Sequence, residues 1–269
     1  MRKNKIFDCI TFFDENLITN ARFEILNNVV DKFVVCESIF DHKGNKKKLN
    51  FNLLNEKFRK KVTHLVLKEP FKDTDNGWKN EEIQRNYLFH GIQEALANDI
   101  ILFSDSDEIP DPKILENFSM KKNYGIFLQA FYVYKLNIFN KYESPWEGTR
   151  AVRKKNLKNF NFLRKKIKSK NLKKNFLKFW IDKDIELYPN GGWHFNNLYN
   201  LQKLSQKIKT SPHQEFNSEK FTNLTNIKKK IENFEDLYER GHKYEKVEID
   251  ETFPKYIKDN KKIFKEFIE

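Results

Sequence analysis

The tetrapeptide Asp105-Ser106-Asp107-Glu108 follows directly on the apolar run Ile100-Ile101-Leu102-Phe103. Two short carboxylates at the end of a buried strand offer oxygen ligands to a hard divalent cation, Mg²⁺ or Mn²⁺, whose other positions are filled by substrate phosphates and water. Four apolar residues bounded by polar ones predict a central strand of a parallel sheet. Ligands of open α/β sheets collect beyond the carboxyl ends of such strands. The same spacing also caps helices, here ahead of Pro112, so the surroundings have to decide between the two readings.

The elements that would position this turn are legible from periodicity. Lys5 to Phe13 reads as a strand, Asn16 to Val30 as a helix and Phe33 to Cys36 as a second strand ending in Glu37. A polar loop and a helix over 49–60 lead to a third strand from His64 to Lys68. A long amphipathic helix from Asn80 to Ala97 delivers the chain to the fourth strand, Asp99 to Ser104. Strands alternating with helices imply parallel crossovers and an α/β sheet. Tyr124 to Leu136 reads as an aromatic strand antiparallel at the sheet edge. Gly191-Gly192-Trp193-His194-Phe195 is the last core element before a mostly helical tail. The expected organisation is one α/β domain over 1–200 with a helical extension over 201–269 packed on it.

Of the 269 residues, 33% are charged and 26 are Phe, which predicts an aromatic core under an ionic surface. No stretch approaches the ~18 apolar residues of a membrane span, and no signal-peptide pattern opens the chain, so it reads as cytoplasmic. Cys9 and Cys36 fall inside predicted strands as buried thiols, and neither a disulfide framework nor a cysteine metal site is supported. The sequons at Asn117 and Asn223 carry little weight without a secretory signal. The net charge of +13 is concentrated: Arg153 to Phe179 holds twelve Lys or Arg and no Asp or Glu. Phe160, Leu163, Ile167, Leu172 and Phe176 repeat along it at helical spacing. An anionic acceptor, an acidic membrane, a polyanion or a plain solvated face all fit such a run.

Several stretches together resemble glycosyltransferase family 17, the family of the β-1,4-mannosyl-glycoprotein 4-β-N-acetylglucosaminyltransferases. They are FFDENLITNARFEILNNVVDKFVVCES (12–38), DNGW (75–78), QRN (84–86), DIILFSDSDEIP (99–110) and GGWHF (191–195). The resemblance implies a GT-A fold, a Rossmann-like and mostly parallel sheet flanked by helices. It further implies a nucleotide-sugar donor, UDP-GlcNAc in characterised members, a divalent metal and inversion at the anomeric carbon. Carried onto this chain, it makes Asp107 the direct metal ligand and Asp105 the supporting one, through water or the ribose. It favours His194 as a further ligand, with His213 a second candidate. Asp14, Glu15 and Glu37, past the first two strands, stand where such enzymes bind ribose or base. Arg22 and Arg85 are placed to pair with those carboxylates or with the diphosphate, and Trp78 to wall the nucleotide or sugar.

An inverting transfer also needs a general base for the acceptor hydroxyl. Glu147, read as lying in a loop after the fifth strand, is the preferred candidate, with Glu108 and Glu215 as alternatives. Arg150 and Arg153 are candidates for anion contact. The expected partners are a nucleotide sugar and a glycan acceptor, with peripheral contact to an anionic membrane or glycan through 153–179 and no specific nucleic acid. The rival readings are a polyanion- or nucleic-acid-binding protein using that segment, or another metal-dependent nucleotide-using transferase. Phosphoryl or nucleotidyl transfer would need a Gly-rich phosphate loop or a DxDx[TV] nucleophile, and this sequence has neither.

Overall fold

The computed structural model describes residues 4–71, 76–172, 184–210 and 214–269. In chain order the elements begin with β1 (Ile6–Phe12), α1 (Asn16–Leu26), β2 (Lys32–Ser38), β3 (Val62–Leu67), α2 (Gly77–Tyr87), β4 (Ile100–Asp105), β5 (Glu108–Pro110) and α3 (Pro112–Glu116). There follow β6 (Tyr124–Val133), β7 (Ile138–Phe139), β8 (Trp146–Arg153), α4 (Phe160–Lys166), β9 (Ile185–Tyr188) and β10 (Gly192–Asn196). The remainder comprises α5 (Leu201–Thr210), α6 (Glu219–Thr222), α7 (Leu224–Glu232), β11 (Glu245–Lys246) and α8 (Lys255–Asp259).

The sheet runs β11-β7-β6-β8-β4-β1-β2-β3, with β9 added on β6 and β10 bridging β5 and β6. The α/β class and the mostly parallel sheet are as expected, with antiparallel strands added on one side. β3, β2, β1 and β4 are parallel, whereas β8 runs antiparallel to both β4 and β6. β6 is therefore internal, not the expected edge strand. Its first half pairs with β8 and β9 and its second half with β10 and β7.

β1, β2 and β4 are buried on both faces, so their apolar runs are continuous, whereas β3, at the edge, is half-buried. Ile6, Ile10 and Phe12 of β1 pack with α1 residues Phe23 and Leu26, while Phe7 and Cys9 pack on the other face with Phe160 and Leu163 of α4. The apolar stripe of the basic segment is thus turned inward at Phe160, Leu163 and Ile167, all at most 1% exposed. Residues 173–179, with Phe176, lie outside the described residues.

Two expected helices are shorter than their periodicity suggests. Over 49–60 only a 3₁₀ turn forms, Glu56–Phe58. The backbone N–H groups of Asn50 and Phe51 are taken by the Glu37 carboxylate and those of Asn52 and Leu54 by Asn16 and Asn20 side chains, leaving them unavailable for helical bonds. The helix over 80–97 stops at Tyr87 and continues as a 3₁₀ turn, Leu88–Gly91. At Gly91 the chain presses on β2: a Cβ there would stand 2.2 Å from Val34 Cγ1. The extension beyond 200 is less helical than expected, being short helices joined by turns, and it adds β11 to β7.

Candidate active site

The site begins with a buried ion pair. Asp8, in the middle of β1, and Arg22, on α1, are 1% and 0% exposed. Arg22 grips both Asp8 oxygens at 2.6 Å through Nε and Nη2, and adds the Ser104 hydroxyl at 3.0 Å and the Glu108 carbonyl at 2.5 Å. It therefore ties α1 and β1 to the end of β4 and the start of β5, the two ends of the Asp105–Asp107 turn. With every guanidinium nitrogen engaged inside the protein, Arg22 has no place at a diphosphate, contrary to the sequence expectation.

A second arginine holds the turn from the other side. Arg164, on α4, places both Nη atoms on the Glu108 carboxylate at 3.0 and 2.7 Å and donates from Nη2 to Asp105 Oδ2 at 2.6 Å. Glu108 is wholly buried and also accepts from Trp146 Nε1 at 2.6 Å and from the Asp105 N–H at 3.1 Å. A carboxylate so occupied is an anchor, neither a base nor a partner of Asp107. Burial alone would raise the Asp105 pKa, but the charges of Arg164 and Arg85 outweigh it and the net shift is downward. Burial likewise opposes the charge on Arg164, and Asp105 and Glu108 reverse that, leaving its pKa raised.

Asp107 faces His194. β10 pairs antiparallel with β5, setting His194 opposite Glu108, and the Phe195 N–H donates to the Asp107 carbonyl at 2.9 Å. This approach requires Gly192, with φ +126°, since a Cβ there would lie 2.1 Å from the Ile109 carbonyl oxygen. His194 Nε2 lies 3.4 Å from Asp107 Oδ1. The imidazole is stacked on Phe131 at 4.3 Å and flanked by Trp146 at 5.1 Å, while its buried Nδ1 has no hydrogen-bond partner among the described residues. Burial raises the Asp107 pKa, but the neighbouring His194 dominates and the net shift is downward.

Among the described residues no group of three or more His, Cys, Asp and Glu converges as a complete cation cage. The Asp107–His194 separation nonetheless suits two adjacent ligands of one ion, because ligands about 2.1 Å from an octahedral centre stand about 3 Å apart. An oxygen and a nitrogen donor, with substrate phosphates completing the shell, fit Mn²⁺ or Mg²⁺.

Asp105, Asp107 and His194 line a cleft of about 360 Å³ at the carboxyl ends of β1 and β4. One wall carries Thr11, Phe12, Phe13, His42 and Gln84, and the opposite wall Glu143, Trp146, Tyr238 and Arg240. The remaining expected residues are distributed around it. Arg85 is 3% exposed and sits behind the cleft rather than on its lining; it bonds Glu81 at 2.7 Å through Nη2 and leaves Nε and Nη1 without hydrogen-bond partners among the described residues. Asp14 lines a separate small cavity and pairs with Lys203 at 2.8 Å. Glu15 lies on the cleft but accepts from Tyr199 and from the Phe13 and Asp14 N–H groups.

Glu37 is wholly buried and accepts from Lys47 at 2.6 Å, the Asn50 and Phe51 N–H groups and His64, so it organises the following loop rather than facing a ribose. Trp78 is 43% exposed at the start of α2, under Lys165 at 4.5 Å, and is not on the cleft. Glu147 lies on β8, not in a loop, and is held by Ser169 and Arg150 away from the cleft lining. Arg150 is buried on the Ile167, Glu147 and Gly148 carbonyls, and burial lowers its pKa to about 10. Arg153 bonds the Met120 and Lys122 carbonyls, and Glu215 is exposed. His213 and Asp75 lie outside the described residues.

Sequence reasoning missed Arg164, Glu143, Tyr238 and Arg240, and passed over Gln84 and His42. Gln84 had a signal, its place in Gln84-Arg85-Asn86. Arg164 had only a charge run, which does not distinguish an inward cation from its exposed neighbours.

A family model described as glycosyltransferase family 17 matches residues 1–244. The β-1,4-mannosyl-glycoprotein 4-β-N-acetylglucosaminyltransferases of Rattus norvegicus and Homo sapiens are each 33% identical over 116 residues, 39% of this chain. The match spans 22% of those relatives' length. Among solved structures, a Mycobacterium tuberculosis glucosyl-3-phosphoglycerate synthase in complex with Mn²⁺, UDP and glucosyl-3-phosphoglycerate is similar over 75% of both chains, with 10% identity and a TM-score of 0.39. The inositol-1-phosphate CTP transferase from T. maritima is similar over 85% of this chain and 98% of its own, with 11% identity and a TM-score of 0.38.

Proposed function

The chain belongs to glycosyltransferase family 17, and on that premise we propose that its cleft transfers the sugar of a nucleoside-diphosphate sugar, UDP-GlcNAc being the donor to test first, to a glycan hydroxyl with inversion, the nucleoside diphosphate departing. The observation that carries this reading is the Asp107–His194 pair, 3.4 Å apart in a cleft at the carboxyl ends of β1 and β4.

Asp107 and His194 are the residues that would hold Mn²⁺ or Mg²⁺, with Asp105 beside them under Arg164. When bound, such an ion offsets charge on the departing diphosphate by several kcal/mol. The chain's own residues do the rest. Arg85 lies behind the cleft wall, its charge acting on Asp105 and two of its buried nitrogens without hydrogen-bond partners among the described residues; it is the cation that would offset diphosphate charge from there. The acceptor oxygen attacks the anomeric carbon, the bond to the phosphate oxygen breaks, and the acceptor proton passes to a carboxylate.

Glu143 suits that last role better than Glu147, since it lines the cleft. Asn140 at 2.8 Å and Arg240 at 3.2 Å hold it in place. Tyr238 and Arg240 then belong to the acceptor wall, which residues 201–269 supply against the nucleotide-binding strands. Mn²⁺-dependent binding of UDP-GlcNAc and its slow hydrolysis test the proposal, with Asp107→Asn as control. Wild-type protein that binds no nucleoside diphosphate in the presence of metal would overturn it.

A further inference from the structure

Gln84 fixes an imidazole on the cleft wall. The amide is 4% exposed, and its Nε2 donates to the Phe12 carbonyl at 3.2 Å and the Cys36 carbonyl at 2.9 Å, at the ends of β1 and β2. Both amide hydrogens are spent, so turning the amide over would set Oε1 against two carbonyl oxygens. Gln84 Oε1 therefore faces His42 Nε2, at 2.9 Å. An amide oxygen only accepts, so the network assigns the hydrogen to Nε2 and leaves Nδ1 of the neutral ring as an acceptor.

The backbone of His42 is held as firmly. Asn80, one turn before Gln84 on α2, donates to the His42 carbonyl at 2.9 Å. Asp41 closes the turn by accepting from the Lys43 and Asn45 N–H groups, both at 2.9 Å. No movement of the loop is needed to present the ring.

We propose that His42 determines the nucleobase accepted by the cleft, its Nδ1 taking a hydrogen bond from the ring N3–H of a uracil-type base. This rests on the reading of the cleft as a nucleoside-diphosphate site. His42 lines the same cleft as Asp105 and Asp107. β4, β1 and β2 are neighbours, so residues following β4 and β2 are separated by about two strand spacings, roughly 10 Å across the sheet edge. Phosphates at the β4 end thus leave the base at the β2 end. Cytosine presents a lone pair at N3 and meets Nδ1 acceptor to acceptor, so a ring of the same size is rejected on hydrogen-bond polarity alone.

The test is calorimetric titration of UDP and CDP in saturating Mn²⁺ against wild type, His42→Leu and Gln84→Glu. Wild type is expected to favour UDP by about tenfold or more. His42→Leu is expected to bring the ratio near one by weakening UDP. In Gln84→Glu a carboxylate beside Nε2 favours the doubly protonated ring, whose Nδ1 donates, so the ratio moves towards CDP. A wild-type ratio near one, or a His42→Leu protein that keeps the wild-type ratio, overturns this inference while the transferase reading stands. Failure of wild type to bind either nucleotide with metal overturns both.

Discussion

Arg22 and Arg164 meet carboxylates from opposite sides of the same turn, yet in different states. Arg22 and its partner Asp8 are at most 1% exposed, and all three guanidinium nitrogens find acceptors. Arg164 is 11% exposed and grips a buried Glu108 with one edge, but its other contact, Asp105, keeps 35% of its surface open to the cleft. A fully enclosed pair whose every donor is met has nothing left for a ligand, so it acts as a brace. A pair that leaves one carboxylate about one-third open has fixed a charge at a place substrate can reach.

Breaking the enclosed pair is expected to have the largest effect. Arg22→Met leaves the Asp8 charge buried and alone and should lower the unfolding free energy by about 3–5 kcal/mol, read from a denaturant midpoint. Activity per folded molecule should fall less than stability does, through the turn ends that Arg22 holds, and a loss of activity at unchanged stability would erase the distinction between the two arginines. Asp107→Asn is the converse, with Mn²⁺-dependent turnover expected to fall about 10²–10³-fold while the melting temperature holds. Arg164→Lys keeps the charge and loses the two-pronged grip; about 10–100-fold in rate is expected, with a smaller stability change than Arg22→Met.

The smallest effect concerns Glu37. Burial raises its pKa, but the hydrogen bonds from His64, Lys47 and the Asn50 N–H outweigh that, and the net shift is downward. A carboxyl with a depressed folded pKa stabilises at pH above its unfolded value, about 4.3, and the contribution is lost as pH falls from there through the folded value. Glu37→Gln should cost about 1–2 kcal/mol at pH 7. In urea unfolding, its difference from wild type should shrink below about pH 4. A difference independent of pH would mean that the carboxylate charge is not what holds the 39–55 loop.

What was legible in the chain follows from local chemistry. The strands β1, β2 and β4 were readable because burial on both faces demands continuous apolar runs, and the Asp105–Asp107 turn was readable because it follows one of them. Helix ends were less so, because Glu37 and Gly91 act on segments far along the chain: one takes the N–H groups of 50 and 51, the other lets the backbone lie against Val34. β8 was hidden for a similar reason, since Trp146 to Arg153 pairs with strands on both sides and needs no period-two surface pattern.

By itself, then, the sequence determined the α/β class, the family resemblance and the carboxylates at the head of β4, since each depends on residues adjacent in the chain. Only tertiary structure decided which charges work together. A guanidinium finds its acceptor by position in space: Arg22 went inside to Asp8, Arg164 left a run of surface lysines for Asp105 and Glu108, and Glu147 was turned from the cleft that Glu143 lines. Charge type and spacing do not encode burial, and burial separates a brace from a site.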